Sequence, residues 1–275
     1  SLLGWLQVLI YVAAVAVPAG FVLMSSGRTL RDDSTVLSDV SGYIIRAAFW
    51  SVLLIGVVDA VISFLRVEGL LVSVFGNDLA TQLGRPNFRG TFVHMPLVAL
   101  SLVIAAVRRD IDFVWLALLV VIAELIIVIS RFIFSYEQAF MGDLVRFWYA
   151  ALFLFASAYT LLDDGHVRVD VVYAGLSRPA KGAVNAVGAV LLGMILCWII
   201  LIMGMWSKAS VLTTPILGFE VSQSGFGMYI KYLMASFLTI FAVTMMIQFA
   251  SSLLESVADM RGDPGARDQG FDTIH

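Results

Sequence analysis

One cysteine, Cys197, stands among 275 residues, so the chain can close no internal disulfide and build no thiolate metal cluster. It lies in the apolar run LLGMILCWIILIM, where the thiolate is disfavoured, and is read as a small packing or lipid-facing residue. Histidine is nearly as scarce. Of His94, His166 and His275 only His94 falls in an apolar run, whereas a bis-histidine haem or a multi-histidine metal site needs at least two facing one another inside the membrane. Charge is sparse as well, at 13% against roughly a quarter in soluble domains. The net charge of -3 is spread over the loops without the basic stripe that nucleic acid requires, so nucleic acid is no partner. Neither a P-loop nor a nucleophile-elbow signature occurs. No catalytic residue, metal ligand or cofactor site is expected, and the chain is read as no enzyme.

What is present is apolar: 60% hydrophobic and 12% aromatic residues, with a mean hydropathy of +0.95. That much apolar surface needs a bilayer as its solvent. A crossing helix takes about 20 apolar residues, and runs of that kind fall at 2–24, 43–65, 92–107, 113–134, 145–162, 183–206 and 228–249. They are continuously apolar and do not alternate, which excludes a transmembrane barrel. The expected fold is an all-α integral membrane protein, a polytopic bundle of about seven helices. The third run is short and carries Pro96, which suggests a re-entrant or tilted segment. The first run has no Lys or Arg before it and is read as a retained span, not a secretory signal.

Ten basic residues, among them Arg28, Arg31, Arg46, Arg108, Arg109, Arg178 and Lys181, fall on the side of the C-terminus, against seven on the other, including Arg66, Arg89 and Arg131. The excess of positive charge points to a cytoplasmic C-terminus. A retinal pigment would need a lysine inside the last span, yet Lys231 sits at its mouth and no other follows.

Two carboxylates lie well inside apolar runs, Asp59 and Glu124, each with an arginine seven residues on, Arg66 and Arg131. Seven residues rise about 10 Å, too far for an easy pair. Either the acids belong to an ion or proton path, or they are anchors that hydrogen-bond neighbouring helices or a partner subunit while the arginines snorkel to the interface. On the anchor reading an amide at 59 or 124 preserves assembly and leucine weakens it.

The most specific stretch reads MGDLVRFWYAALFLFASAYTLLDDGHVRVD at 141–170, after a span ending in SRFIF. A glycine at 165 suits a helix end, and His166, Arg168 and Asp170 alternate with valines as in a segment lying at a membrane surface. An arginine and aromatic pair closing one span, an acidic-Leu-x-Arg start to the next and the GHVRVD turn resemble the small membrane subunit, of DctQ type, of the tripartite ATP-independent periplasmic (TRAP) transporters. The residues that carry it are Arg131, Phe134, Asp143, Leu144, Arg146, Gly165, His166, Arg168 and Asp170.

The resemblance covers roughly 112–255. It divides the chain into an N-terminal extension at 1–111 with two or three spans, a four-helix domain at 112–255 and a polar tail at 256–275. It implies a bacterial inner-membrane protein that binds a large transport subunit of DctM type and works with a periplasmic solute-binding protein in sodium-driven uptake. It implies no substrate, ion or cofactor site in this chain and leaves the solute open. Asp143 stands where the family usually has Glu, which keeps the carboxylate. The extension departs further and leaves room for another role, as a structural or accessory subunit of a different membrane assembly such as an energy-transducing complex.

Overall fold

The computed structural model describes residues 2–25, 27–109, 113–162, 171–221 and 226–265. Helix α1 (Leu2–Met24) is apolar on every side and none of its apolar window is buried against the rest of the chain. Helix α2 (Leu30–Val67) begins at a capping box: the Thr29 hydroxyl accepts from the Asp32 N–H, and the Asp32 carboxylate accepts from the Thr29 N–H at 2.9 Å. A short amphipathic helix, α3 (Leu71–Leu83), kinks at Gly76, where φ is 75°.

Helix α4 (Pro86–Arg89), a π-helical turn at Gly90–His94 and α5 (Met95–Val107) run on as one crossing helix of 22 residues. The sequence led us to expect a short span from Phe92; the helix starts six residues earlier, at Pro86, and is long and apolar enough to cross a membrane. Pro86 occupies its first turn, where the missing N–H costs nothing. The π turn lies directly ahead of Pro96, where a local widening absorbs the lost backbone bond.

Then come α6 (Phe113–Phe134), α7 (Ala139–Leu162), the single turn α8 (Val171–Ala174), and α9 (Arg178–Gly188), which passes through a second π turn into α10 (Ile195–Met205). The one-turn α11 (Thr213–Leu217) precedes α12 (Lys231–Arg261), which Gly262 ends in the left-handed conformation. Among the described residues seven helices are long and apolar enough to cross a membrane, so the chain is an all-α multi-pass membrane protein.

Helices α2 and α12 pack along one another at the centre, α5 and α7 flank α2, α6 lies on α7, and α9 and α10 lie on α12. Val52, Ile55, Phe147, Trp148, Phe155 and Phe237 form the heart of the core. Gly56 brings α7 close: a Cβ there would stand 2.4 Å from the Trp148 indole nitrogen, which donates to the Val52 carbonyl at 3.1 Å. Gly193 likewise lies under the Phe249 ring, the close helix packing that small residues allow. Cys197 is buried, a packing residue.

One end of the bundle is polar within. Ser34, Ser38 and Ser251 are buried and linked through the Ser251 hydroxyl, 2.8 Å from each of its partners, and Arg31 of α2 pairs with Glu255 and Asp259 of α12. These contacts carry α12 through Arg261, into a stretch whose polarity had suggested a tail. We call this the Arg31 end and the opposite one the Asp59 end.

Candidate functional site: a buried ion-pair network

Asp59 lies eight residues before the end of α2, about 12 Å along the helix from it. It is fully buried, as are Arg89 and His94. Arg89 Nη1 donates to Asp59 Oδ1 at 2.9 Å and His94 Nε2 donates to the same oxygen at 3.1 Å. The other oxygen, Oδ2, accepts from the Tyr229 backbone N–H at 2.9 Å. The other ring nitrogen, Nδ1, is hydrogen-bonded to the Tyr232 hydroxyl, 2.8 Å away.

The π turn explains how two side chains five residues apart reach one oxygen. In a regular α-helix Arg89 and His94 would diverge by about 140° around the axis. The turn closes with Met95 N–H bonded to Gly90 O, a wider loop that brings the two onto one side. Gly90 also lets the Phe219 ring in, since a Cβ there would meet it at 2.2 Å. Phe219 itself takes a left-handed backbone (φ 47°), and its ring packs edge-on against Tyr232.

Arg89 is held further by the Leu83 carbonyl on Nε at 3.0 Å and by Ser63 at 3.3 Å. Its guanidinium carbon lies 4.0 Å from the centroid of the Tyr229 ring, and that of Arg66 lies 4.6 Å from the same centroid. Arg66 does not reach Asp59; it donates to the Gly227 carbonyl at 2.7 Å. The acid and arginine spacing read from the sequence therefore marks no pair. Asp59 is paired with an arginine that had been counted among the loop charges, because ion pairing offsets the cost of burying both.

Asp143 of α7 does for Met228 what Asp59 does for Tyr229: its Oδ2 accepts the Met228 N–H at 3.0 Å, while Oδ1 accepts from Arg146 at 3.0 Å. Two carboxylates on different helices thus grip successive N–H groups just ahead of α12. Both carboxylate oxygens of Asp59 are engaged by protein donors. Among the described residues there is no group of three or more His, Cys, Asp or Glu that could hold a metal ion. An apolar cavity of about 210 Å³ borders Tyr232, lined by Val52, Ile55, Phe147, Phe155 and Phe237 among others. Its lining gives water few hydrogen-bond partners, so it offers no wet route to the network.

Residues 118–259, just over half of the chain, match the family model of the DctQ component of the tripartite ATP-independent periplasmic transporters. The chain belongs to that family. No curated protein and no solved structure matches it. As a DctQ component it is a small membrane subunit of a transporter.

The residues that carried the resemblance are dispersed in this DctQ component. Arg131 is exposed, with Nε 3.4 Å from a Glu137 oxygen, and Phe134 is exposed beside it in sequence. Asp143 is buried at the grip on α12, Leu144 packs on the core, and the Arg146 side chain is 71% exposed while pairing with Asp143. Gly165, His166, Arg168 and Asp170 lie outside the described residues. Glu124 is exposed on α6, and no ion pair or hydrogen bond engages it among the described residues.

The residues that sequence reasoning missed are Arg89, Tyr229 and Tyr232. The signal was the pair Arg89 and His94 flanking a glycine just after Arg85-Pro86, a helix start followed by two polar groups in an apolar setting. The network also joins the region ahead of the family match to the match itself, because Asp59, Arg89 and His94 precede residue 118 whereas Tyr229 and Tyr232 lie within it. A second tie is made outside the spans, where the Tyr136 hydroxyl donates to Glu68 at 2.7 Å. Burial and this hydrogen bond together push the Tyr136 phenol up to about 12.

Proposed function

We propose that this DctQ component is a non-transporting scaffold that holds a large transport subunit of DctM type in the membrane, for sodium-driven uptake of a solute delivered by a periplasmic binding protein. The reading rests on the family match over 118–259. It places the chain in the bacterial inner membrane, with the Arg31 end and the C-terminus in the cytoplasm, in line with the excess of Lys and Arg on that side. Residues 1–111 form an extension that adds helices to a four-helix domain at 112–255, with Arg131, Phe134, Asp143, Leu144, Arg146 and the turn at 165–170 as the family's structural motif.

The exposed flank of α6 supports a partner subunit. Glu124 stands eleven residues from Phe113 and ten from Phe134, at mid-depth, on a face with Val121, Leu125 and Val128, all exposed. A carboxylate facing lipid at that depth costs a few kcal/mol, and a hydrogen-bond donor on a partner helix removes that cost. In the buried network, by contrast, both oxygens of Asp59 tie α2 to α4, to the π turn and to the segment just ahead of α12, which suits a rigid support better than a site that must open.

Reconstitution is the direct test. Proteoliposomes holding this chain alone, with an imposed sodium gradient, are expected to accumulate no solute; the chain co-expressed with its large subunit is expected to co-purify in a fixed ratio. Gradient-driven uptake by the chain alone would overturn the scaffold reading.

A further inference from the structure

The Arg31 end carries a feature that the scaffold role does not use. A cleft of about 450 Å³ opens between α2 and α5, lined by Asp39, Tyr43 and Arg46 of α2 and by Ala105, Ala106 and Arg109 at and just beyond the end of α5. We infer that this cleft binds the phosphodiester headgroup of a membrane phospholipid.

Its depth points there. Helix α5 stops at Val107, and the side chains just inside, Val103 and Val107, are 63% and 75% exposed and apolar, the mark of contact with acyl chains. Helix α2 runs on for 13 residues beyond Tyr43, to Leu30, through the charged stretch that pairs Arg31 with Glu255 and Asp259. The cleft therefore sits where lipid-facing surface gives way to polar surface, at headgroup level. The Tyr43 hydroxyl donates to the Leu102 carbonyl at 3.0 Å and pins the two helices at its floor.

Its charge points the same way. Arg46 rises from an apolar stretch of α2, and its guanidinium bends back one turn toward the Arg31 end: a Cβ at Gly42 would stand 3.3 Å from Nη1. That is the posture of a snorkelling arginine. Its Nε is buried and finds no partner, and neither Arg46 nor Arg109 makes an ion pair among the described residues. Two arginines against Asp39 leave one positive charge, which matches the single negative charge of a phosphodiester. A planar guanidinium offers paired N–H donors to phosphate oxygens, and basic pockets between crossing helices at this level are suited to phospholipid heads. Glycine at 42 leaves room for the Arg46 guanidinium beside α2.

The test is lipid titration of the purified full chain followed by native mass spectrometry, with phosphatidylglycerol as the probe. The variants are Arg46→Gln, Arg109→Gln and their double, with Lys208→Gln at the opposite end as control; thermal unfolding of each verifies the fold. One tightly held phospholipid is expected, with affinity reduced about fivefold by each arginine change, about 25-fold by both, and unchanged by Lys208→Gln. Inorganic phosphate in millimolar excess is expected neither to displace the lipid nor to raise the unfolding temperature. Undiminished lipid binding by the folded double variant would overturn the site. Displacement by inorganic phosphate would overturn the lipid as its source.

Discussion

Replacing Asp59 by asparagine is the sharpest perturbation of this molecule, because its ion pair with Arg89 adds to the hydrogen bonds that an amide could keep. If Asp59 were a neutral anchor, an amide would serve. In the folded chain Asp59 accepts three donors, from Arg89, His94 and Tyr229, and among the described residues is the only carboxylate bonded to the fully buried Arg89. Asparagine leaves a single oxygen to accept, turns an N–H₂ toward a donor, and leaves the arginine charge without a counter-charge. Breaking a buried pair from one side costs about 3–5 kcal/mol, and each stranded donor about 1–3 kcal/mol; because the two describe the same loss, about 3–5 kcal/mol is the expected total. Arg89→Met should cost a similar amount, since it strands Asp59. Asp59→Leu with Arg89→Met removes both charges and should cost clearly less than the two single changes together. Unfolding by sodium dodecyl sulfate in mixed micelles, run as a double-mutant cycle, measures this directly. A loss below about 1 kcal/mol for Asp59→Asn, or strict additivity in the cycle, would refute the ion pair as the element that locks α2 to α4.

Other perturbations have distinct signatures. Gly56→Val should destabilise the chain by about 1–3 kcal/mol through overpacking against Trp148, with a shift in tryptophan fluorescence as the indole leaves the Val52 carbonyl. Glu124→Leu should leave the isolated chain within about 0.5 kcal/mol of wild type, yet weaken co-purification with the large subunit by about 0.6–2 kcal/mol; unchanged association would remove Glu124 from the interface. Tyr136 should ionise near pH 12 in place of the usual value near 10. Because the folded value is raised, the stability carried by its neutral form is intact below pH 10 and lost as pH climbs toward 12. Comparing tyrosinate absorbance of wild type with Tyr136→Phe and Glu68→Gln checks it, Glu68→Gln moving the midpoint down.

The bilayer makes the number and kind of spans legible in this sequence. A stretch of about 20 apolar residues has one stable answer in lipid, since only a helix satisfies its own backbone. The same local logic exposed the family, because the pieces around Arg131, Asp143 and the 165–170 turn are short contiguous strings. What it could not show is which charges meet. Asp59 and Arg66 share a helix and a tempting spacing, but the partner of Asp59 is Arg89, 30 residues on and in a helix whose polar start looked like loop. That choice depends on a π turn that brings Arg89 and His94 together and on the packing of α12 and the residues just ahead of it, which present the Tyr232 hydroxyl and the Tyr229 N–H. Hydropathy reports the cost of each charge in lipid one residue at a time. Whether that cost is met inside the chain, as at Asp59, or left facing outward, as at Glu124, is a property of helix rotation and contact, and only the tertiary structure decided it.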